Sequence, residues 1–353
     1  MKICTVVGAR PQFVKAATVS LALKNTDCNV QEVLIHTGQH YDSNMSDVFF
    51  ADLSISQPDY NLAIGGGSHG QNTGRMIEKI EELLLIEKPD SLLVYGDTDS
   101  TLAGAIAASK LHIPVSHVEA GLRSYNMAMP EEINRILTDN VSSRLFCPTA
   151  GAIENLRREG FYNRDVLISE VGDVMLDAAI QFKNAAVKPE ELDVKGDFIL
   201  ATFHRAENTD DVGRLESIVA AINYLHASIA PVVVPLHPRT ASALKRNNLS
   251  LNCHLIKPVG YIQMVWLLSN CALVLTDSGG VQKEAFFFNK SCVTMRDETE
   301  WTELVELGVN KLSGADRERI IEFAQYMFAK NIPDIGEMYG AGMASQRIAS
   351  ALV

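Results

Sequence analysis

The chain has 353 residues, long enough for about two domains at roughly 150 residues each. Lys and Arg number 31 against 43 Asp and Glu, a net charge of −12 with no concentrated block of either sign, which argues against a nucleic-acid binder. Hydrophobic residues at 47% and charged residues at 21% exclude disordered, collagenous and coiled-coil classes.

In chain order, the first apolar run, Lys2 to Val7, is too short for a signal-peptide core and reads as a strand. It ends in Gly8-Ala9-Arg10-Pro11-Gln12, with Lys15 about one turn into the next helix. A second strand is predicted at Val33 to His36. Gly65-Gly66-Gly67-Ser68-His69-Gly70 follows, too glycine-rich for the interior of a strand or helix. It is either a flap over a site or an ordinary linker. Helix Arg75 to Ile86 leads to strand Ser91 to Tyr95, which ends in Gly96-Asp97-Thr98-Asp99-Ser100, and helix Thr98 to Leu111 comes next. Strand Val115 to Val118 ends in Glu119-Ala120-Gly121 with Arg123 just beyond, and helices are predicted at Glu131 to Asn140 and Ala152 to Glu159. The series then restarts, which places a domain boundary near residue 168, between domains 1–168 and 169–339.

In the second half, strand Phe198 to Phe203 runs into His204-Arg205-Ala206-Glu207-Asn208 and helix Val212 to Leu225. Strand Val232 to Leu236 runs into His237-Pro238-Arg239-Thr240. Strand Ala272 to Leu275 runs into Asp277-Ser278-Gly279-Gly280 and helix Gly279 to Phe288. The stretch Met264 to Thr276 falls short of the ~20 apolar residues of a membrane span. No membrane association is expected, and the cytoplasm is the expected location. This alternation of short apolar runs with helical-period segments predicts an α/β protein with parallel sheets. Six scattered cysteines, without CxxC or a histidine at ligand spacing, read as reduced core or near-core thiols, with no metal site.

Ligands of open parallel sheets bind beyond the carboxyl ends of the strands, and here six such ends are polar. Asp277-Ser278-Gly279-Gly280 between strand and helix offers free backbone N–H groups at a helix N-terminus, suited to a diphosphate. A plain helix cap is the alternative. Glu284, about one turn further, is a candidate ribose contact, and Arg10 and Arg205 are candidate phosphate partners. GxxxxGK[ST] is absent and no GxGxxG follows a predicted strand, against ATP hydrolysis and NAD binding. Asp97, Glu119 and Glu131 supply carboxylates whose pKa values burial and mutual repulsion can separate, the requirement for paired acid and base work. Two of them also have a structural alternative: a capping aspartate for Asp97, and a favourable first helical turn for Glu131-Glu132 after Pro130. His204 at a strand end is either a hydrogen-bonded structural histidine or a catalytic one.

Taken together, Gly8-Ala9-Arg10-Pro11-Gln12-Phe13-Val14-Lys15, Thr37-Gly38-Gln39-His40, Gly96-Asp97-Thr98 and His117-Val118-Glu119-Ala120-Gly121-Leu122-Arg123 occur in one order. Pro130-Glu131-Glu132-Ile133-Asn134-Arg135, His204-Arg205-x-Glu207-Asn208 and Thr276-Asp277-Ser278-Gly279-Gly280-x-Gln282-x-Glu284 follow them. This set resembles the non-hydrolysing UDP-N-acetylglucosamine 2-epimerases over essentially the whole chain. The resemblance implies a GT-B-like fold of two Rossmann-like domains facing a central cleft, a C-terminal helix at about 340–353 packing back on the first domain, and a homodimer. It implies elimination of UDP to a 2-acetamidoglucal and re-addition on the opposite face, interconverting UDP-N-acetylglucosamine and UDP-N-acetylmannosamine for surface polysaccharide synthesis, with no cofactor.

By the same resemblance Asp97, Glu119 and Glu131 form the acid/base group, and His204 assists leaving-group departure or closure. Arg10, Lys15, Arg123, Arg135, Arg205, His237, Ser278, Gly279, Gly280 and Glu284 are implied substrate contacts. Gln39 and His40 match an allosteric second UDP-sugar site found in some members, although Tyr41 stands where those members carry arginine. Asn126-Met127-Ala128-Met129 replaces an aromatic segment common in the family. Gln12-Phe13 and His237-Pro238-Arg239-Thr240 also resemble the branch acting on UDP-2,3-diacetamido-2,3-dideoxyglucuronate, whose added carboxylate would want a cation such as Arg123 or Arg239. The remaining alternatives are a hydrolysing epimerase, a glycosyltransferase of the same fold and a non-catalytic UDP-sugar sensor.

Overall fold

The computed structural model describes residues 1–39, 57–330, 332 and 338–353, apart from the side chain of Arg10. The chain divides into two compact units, Met1–Gln181 with Ile335–Val353, and Phe182–Asp334.

The first unit is a seven-stranded parallel sheet built from β1 (Lys2–Val7), β2 (Gln31–His36), β3 (Tyr60–Asn61), β4 (Ser91–Tyr95), β5 (Val115–Val118), β6 (Arg144–Cys147) and β7 (Leu167–Glu170). The strand order is β3-β2-β1-β4-β5-β6-β7, so the chain reverses direction across the sheet between β1 and β4. A doubly wound sheet opens a crevice at such a switch point, between the ends of those two strands. The seam expected at residue 168 falls inside β7, which pairs with β6 through Arg144↔Leu167 to Cys147↔Glu170 and so stays in the first sheet. The division lies after Gln181.

Among the described residues, six helices alternate with these strands: α1 (Arg10–Lys24), α2 (His69–Glu87), α3 (Asp99–Lys110), α4 (Pro130–Val141), α5 (Ala150–Arg158) and α6 (Val174–Lys183). Helix α2 begins six residues ahead of the predicted Arg75, because Ser68 caps it and Gln71 closes a capping box. The glycine-rich loop therefore ends at Gly67. On one face of the sheet Cys4, Val6, Ile35, Leu92 and Val94 pack against Met76, Ile80 and Leu84 of α2 and the alanines of α3. A Cβ at Gly104 would lie 3.3 Å from Val94 Cγ1, so the small side chains of α3 let it sit close on the strands.

The second unit has a six-stranded parallel sheet of β8 (Ile199–Thr202), β9 (Val232–Pro235), β10 (His254–Ile256), β11 (Leu273–Thr276), β12 (Cys292–Thr294) and β13 (Asn310–Leu312). Its order, β10-β9-β8-β11-β12-β13, places the switch point between β8 and β11. Helices α7 (Ala206–Thr209), α8 (Val212–Ser228), α9 (Pro238–Arg246), α10 (Tyr261–Asn270), α11 (Gly279–Phe287), α12 (Thr302–Glu306) and α13 (Arg317–Met327) complete it. Its core joins Ile199, Ala201, Val232, Val234, Leu273 and Leu275 to Leu215, Ile218, Ile222 and Leu225 of α8 and Ile320 and Ala324 of α13. The last helix, α14 (Ala344–Leu352), belongs to the first unit and packs on α1, its first turn capped by Asp177 through Ala344 N at 3.2 Å and Ser345 N at 2.7 Å.

Of the cysteines, Cys4, Cys147, Cys271 and Cys292 are buried and Cys253 is intermediate, but Cys28 is exposed and so is not the near-core thiol expected. Among the described residues no helix is long and apolar enough to cross a membrane.

Candidate active site

In the first unit the polar groups collect at the ends of β1, β4 and β5. Gln12 ties two of these ends together. Its Oε1 accepts from Gly8 N at 2.8 Å and Ala9 N at 3.0 Å, while its Nε2 donates to Tyr95 O at 2.7 Å. Beyond Tyr95 the backbone turns at Gly96 with φ +63°, where a Cβ would stand 3.3 Å from Glu119 Oε2 and 3.5 Å from Lys15 Nζ. Glycine lets the Asp97 and Glu119 turns approach.

Glu119 itself has φ +74°, a strained conformation for a residue with a side chain. It is held because Glu119 N and Ala120 N both donate to Phe146 O, at 3.0 and 3.1 Å. Its carboxylate pairs with the Lys15 ammonium, both side chains being nearly buried. Asp97 pairs instead with Arg135 Nη1 at 2.8 Å, its side chain 36% exposed. Burial pushes Asp97 up; Arg135 opposes this, Glu119 adds to it, and the net direction is above the ordinary carboxylate range. Two neighbouring carboxyl groups, one ion-paired to a lysine and one raised, can take and give a proton at the same pH.

Helix α4 supports both turns with a polar buried face. Asn134 Nδ2 donates to Asp97 O at 2.9 Å and Asp99 Oδ1 at 3.2 Å. Glu132 is fully buried and accepts from Ser124 N, Tyr125 N and Arg135 Nε at 2.8–3.1 Å. Asp139 holds His117, Gly121 N and Arg123. Burial raises Asp139, but the hydrogen bonds and charges of His117 and Arg123 outweigh it and leave the carboxyl below its ordinary range. Glu131, by contrast, is exposed, and among the described residues no hydrogen bond or ion pair holds it.

The Arg123 guanidinium is engaged in an internal network. It is buried, with Nε and Nη2 each 2.7 Å from Glu159 and Nη1 2.8 Å from Asp139. Gln39 Oε1 accepts from Ser100 N and Ser100 Oγ at the start of α3. The Arg10 side chain, His40 and Tyr41 lie outside the described residues.

In the second unit Asp277, fully buried, accepts from His204 N at 3.0 Å, Arg205 N at 3.0 Å and Asn208 Nδ2 at 3.1 Å. It fixes the β8 turn to the end of β11. The His204 ring, 41% exposed, stacks on His237 with centroids 4.9 Å apart. Burial lowers the His204 pKa; Asp277 opposes this, Arg205 and Arg239 reinforce it, and the net direction is down. His237 caps α9, its Nδ1 accepting from Arg239 N at 3.1 Å. Ser278 occupies the N-cap of α11 with no cap hydrogen bond from its side chain, which leaves the first N–H groups of the helix for an anion.

The Gly279 turn is closely braced. Trp301 Nε1 donates to Gly279 O at 3.0 Å, and a Cβ on Gly279 would collide with Glu300 Oε1 and lie 3.7 Å from Arg205 Nη2. Burial raises Glu300, but Arg296, 2.9 Å away, and Arg205 outweigh it and hold the carboxyl below its ordinary range. Gly280 faces open space, and Glu284 is buried one turn on. Among the described residues no cluster of His, Cys, Asp and Glu is arranged to hold a metal ion.

A model of the UDP-N-acetylglucosamine 2-epimerase family matches residues 21–353. The chain belongs to that family. A family relative, the UDP-2,3-diacetamido-2,3-dideoxy-D-glucuronate 2-epimerase of Pseudomonas aeruginosa, is 59% identical over 352 residues, covering 100% of this chain and 99% of the relative. The solved structure of the Methanocaldococcus jannaschii UDP-GlcNAc 2-epimerase, in complex with UDP-GlcNAc and UDP, superposes with a TM-score of 0.91 at 43% identity, covering 100% of this chain and 99% of that one. The UDP-GlcNAc 2-epimerase of Neisseria meningitidis, bound to UDP-GlcNAc, gives 0.87 at 33% identity, with 100% and 99% covered. The fold is GT-B-like, two Rossmann-like units, and the family makes the chain an isomerase, a UDP-sugar 2-epimerase.

Sequence reasoning missed the supporting residues Glu132, Asn134, Asp139, His117 and Asp277. For α4 the signal was present but inverted. Ile133, Leu137 and Val141 recur every four residues, the pattern of a core face, yet they are 40%, 44% and 37% exposed while the polar face is inside.

Proposed function

We propose that this protein is a non-hydrolysing 2-epimerase acting on a UDP-2-acetamido sugar. It removes the C2 proton as UDP leaves C1, holds the 2-acetamidoglucal, and returns UDP after reprotonation on the opposite face. The observation that carries this reading is the contrast between Glu119, ion-paired to Lys15, and Asp97, raised above its ordinary range, on adjacent turns. A C2 proton is weakly acidic, so its removal needs a positioned base and electrostatic stabilisation of the departing diphosphate. The open N-terminus of α11, Arg205 and His204 are the groups we assign to that second task, with Glu284 on the ribose. Glu131, exposed and without a hydrogen bond or ion pair among the described residues, is assigned as the third acid/base carboxylate.

For the sugar we favour UDP-2,3-diacetamido-2,3-dideoxyglucuronate, because the full-length 59% identity to the Pseudomonas enzyme supports it. With Arg123 committed internally, Arg239 is the remaining cation for the uronate. It keeps one ion pair, to Asp210 at 2.9 Å, and is half exposed. UDP-N-acetylglucosamine is the second reading, supported by the likeness to the Methanocaldococcus complex. Parallel assays with both UDP-sugars decide between them: a higher kcat/KM on the uronate supports our assignment, and turnover of UDP-N-acetylglucosamine alone refutes it. Release of free sugar would indicate a hydrolysing enzyme, and binding without turnover a sensor.

We further assign the protein to the cytoplasm, supplying surface polysaccharide precursors, as a homodimer. The exposed stripe Ile133, Leu137 and Val141 supports the dimer, since among the described residues it is an uncovered apolar face. Sedimentation at the mass of one 38.7 kDa chain would refute it.

A further inference from the structure

Beside the turns of Asp97 and Glu119 lies a hydrogen-bonded pair, His117 of β5 and Asp139 of α4, both fully buried. Each ring nitrogen of His117 faces an oxygen. Nδ1 is 2.7 Å from Asp139 Oδ1, and Nε2 is 2.7 Å from the carbonyl oxygen of Gly96. The carbonyl can only accept. Asp139 Oδ2 already accepts from Gly121 N at 3.1 Å and Arg123 Nη1 at 2.8 Å, the environment of an ionised carboxylate. A neutral imidazole has a single N–H, and either tautomer would turn a lone pair on an oxygen lone pair at hydrogen-bond distance.

We infer that His117 is held as an imidazolium and acts as a positioning residue that locks the turn of Asp97 to the turn of Glu119. One N–H grips Gly96, the residue before Asp97. The other grips Asp139, which in turn holds Gly121, two residues after Glu119. Charges balance within the group, with His117 and Arg123 against the buried Asp139 and the partly exposed Glu159. Gly96, Glu119 and Gly121 have φ of +63°, +74° and +79°, so three left-handed residues lie in the two turns that this bridge spans. Backbone of that kind persists where the surroundings over-determine it.

The positioning role rests on the assignment of Asp97 and Glu119 as the acid/base pair, whereas the protonation state does not. The test is proton–nitrogen correlation NMR on the full-length enzyme labelled with ¹⁵N-histidine, the signals assigned by their loss in His117→Asn. Two directly bonded N–H protons on His117 at neutral pH are expected, one toward Asp139 and one toward Gly96. A bare ring nitrogen at neutral pH overturns the inference. Asp139→Asn should return the ring to one N–H. Should His117→Asn fail to fold, Asp139→Asn supplies the assignment, since the ring that drops from two N–H signals to one is the partner of Asp139. In folded variants kcat should fall about 100-fold, the scale of a misplacement of about 1 Å, with UDP affinity by calorimetry unchanged. Equal losses of turnover and UDP affinity would overturn the positioning role. A wild-type protein that epimerises no UDP-sugar would refute the function proposed above while leaving the NMR result to stand alone.

Discussion

The neighbours Glu131 and Glu132 should separate catalysis from stability. Glu132 is fully buried and satisfies two backbone N–H groups and one edge of Arg135. Glu132→Ala strands those donors and takes a carboxylate from a buried guanidinium that also pairs with Asp97. Removing one partner of a buried ion pair costs about 3–5 kcal/mol. At about 2–4 °C per kcal/mol for a unit of this size, the melting temperature should drop by about 6–20 °C in scanning calorimetry. Glu131→Ala removes an exposed side chain that pairs with none of the described residues, so stability should stay within about 0.5 kcal/mol while turnover falls by roughly 10²–10⁴-fold. A Glu132→Ala protein that melts with the wild type, or a Glu131→Ala protein that keeps its turnover, would refute this division of labour.

Gly279→Ala should lower stability by about 1–3 kcal/mol, since its Cβ drives into Glu300 against Arg296, whereas Gly280→Ala should melt with the wild type; equal melting of the two would show that the turn is not braced. Asp97→Asn should abolish turnover without loss of stability at neutral pH. Because burial raises the folded pKa of Asp97, its contribution is fully present below the ordinary value of about 3.9 and is lost as pH rises through the raised one, a loss the amide does not suffer. A clear destabilisation of Asp97→Asn at neutral pH would contradict that sign. The His204 pKa is lowered, so its contribution is present above about 6.5 and lost as pH falls through the folded value; His204→Asn should flatten the acid side of the stability curve, and an unchanged slope would remove His204 as its cause.

Strands such as β1 and β4 were legible because they are short, largely buried apolar runs, and they fall at Lys2–Val7 and Ser91–Tyr95 as predicted. Polar residues at their ends marked both switch points. The start of α2 was hidden because Gly70 and Gly74 sit inside it, each facing open space, where glycine costs helix propensity but meets no clash. The boundary at 181 was hidden because β7 is an exposed edge strand with a weak pattern. At the site, Arg123 read as a ligand cation because sequence shows a charge but not the Asp139 and Glu159 that consume it. The buried polar face of α4 could not be read either, since an apolar stripe at helical spacing normally points inward and here points out.

The central claim is proton transfer at C2 coupled to departure and return of UDP. Incubating the purified enzyme with each UDP-sugar in deuterated water, and following the sugar by proton NMR, tests it directly. The account predicts deuterium at C2 in the epimerised product with no free sugar released. Epimerisation that retains the original C2 proton, or no exchange with either UDP-sugar, would contradict it.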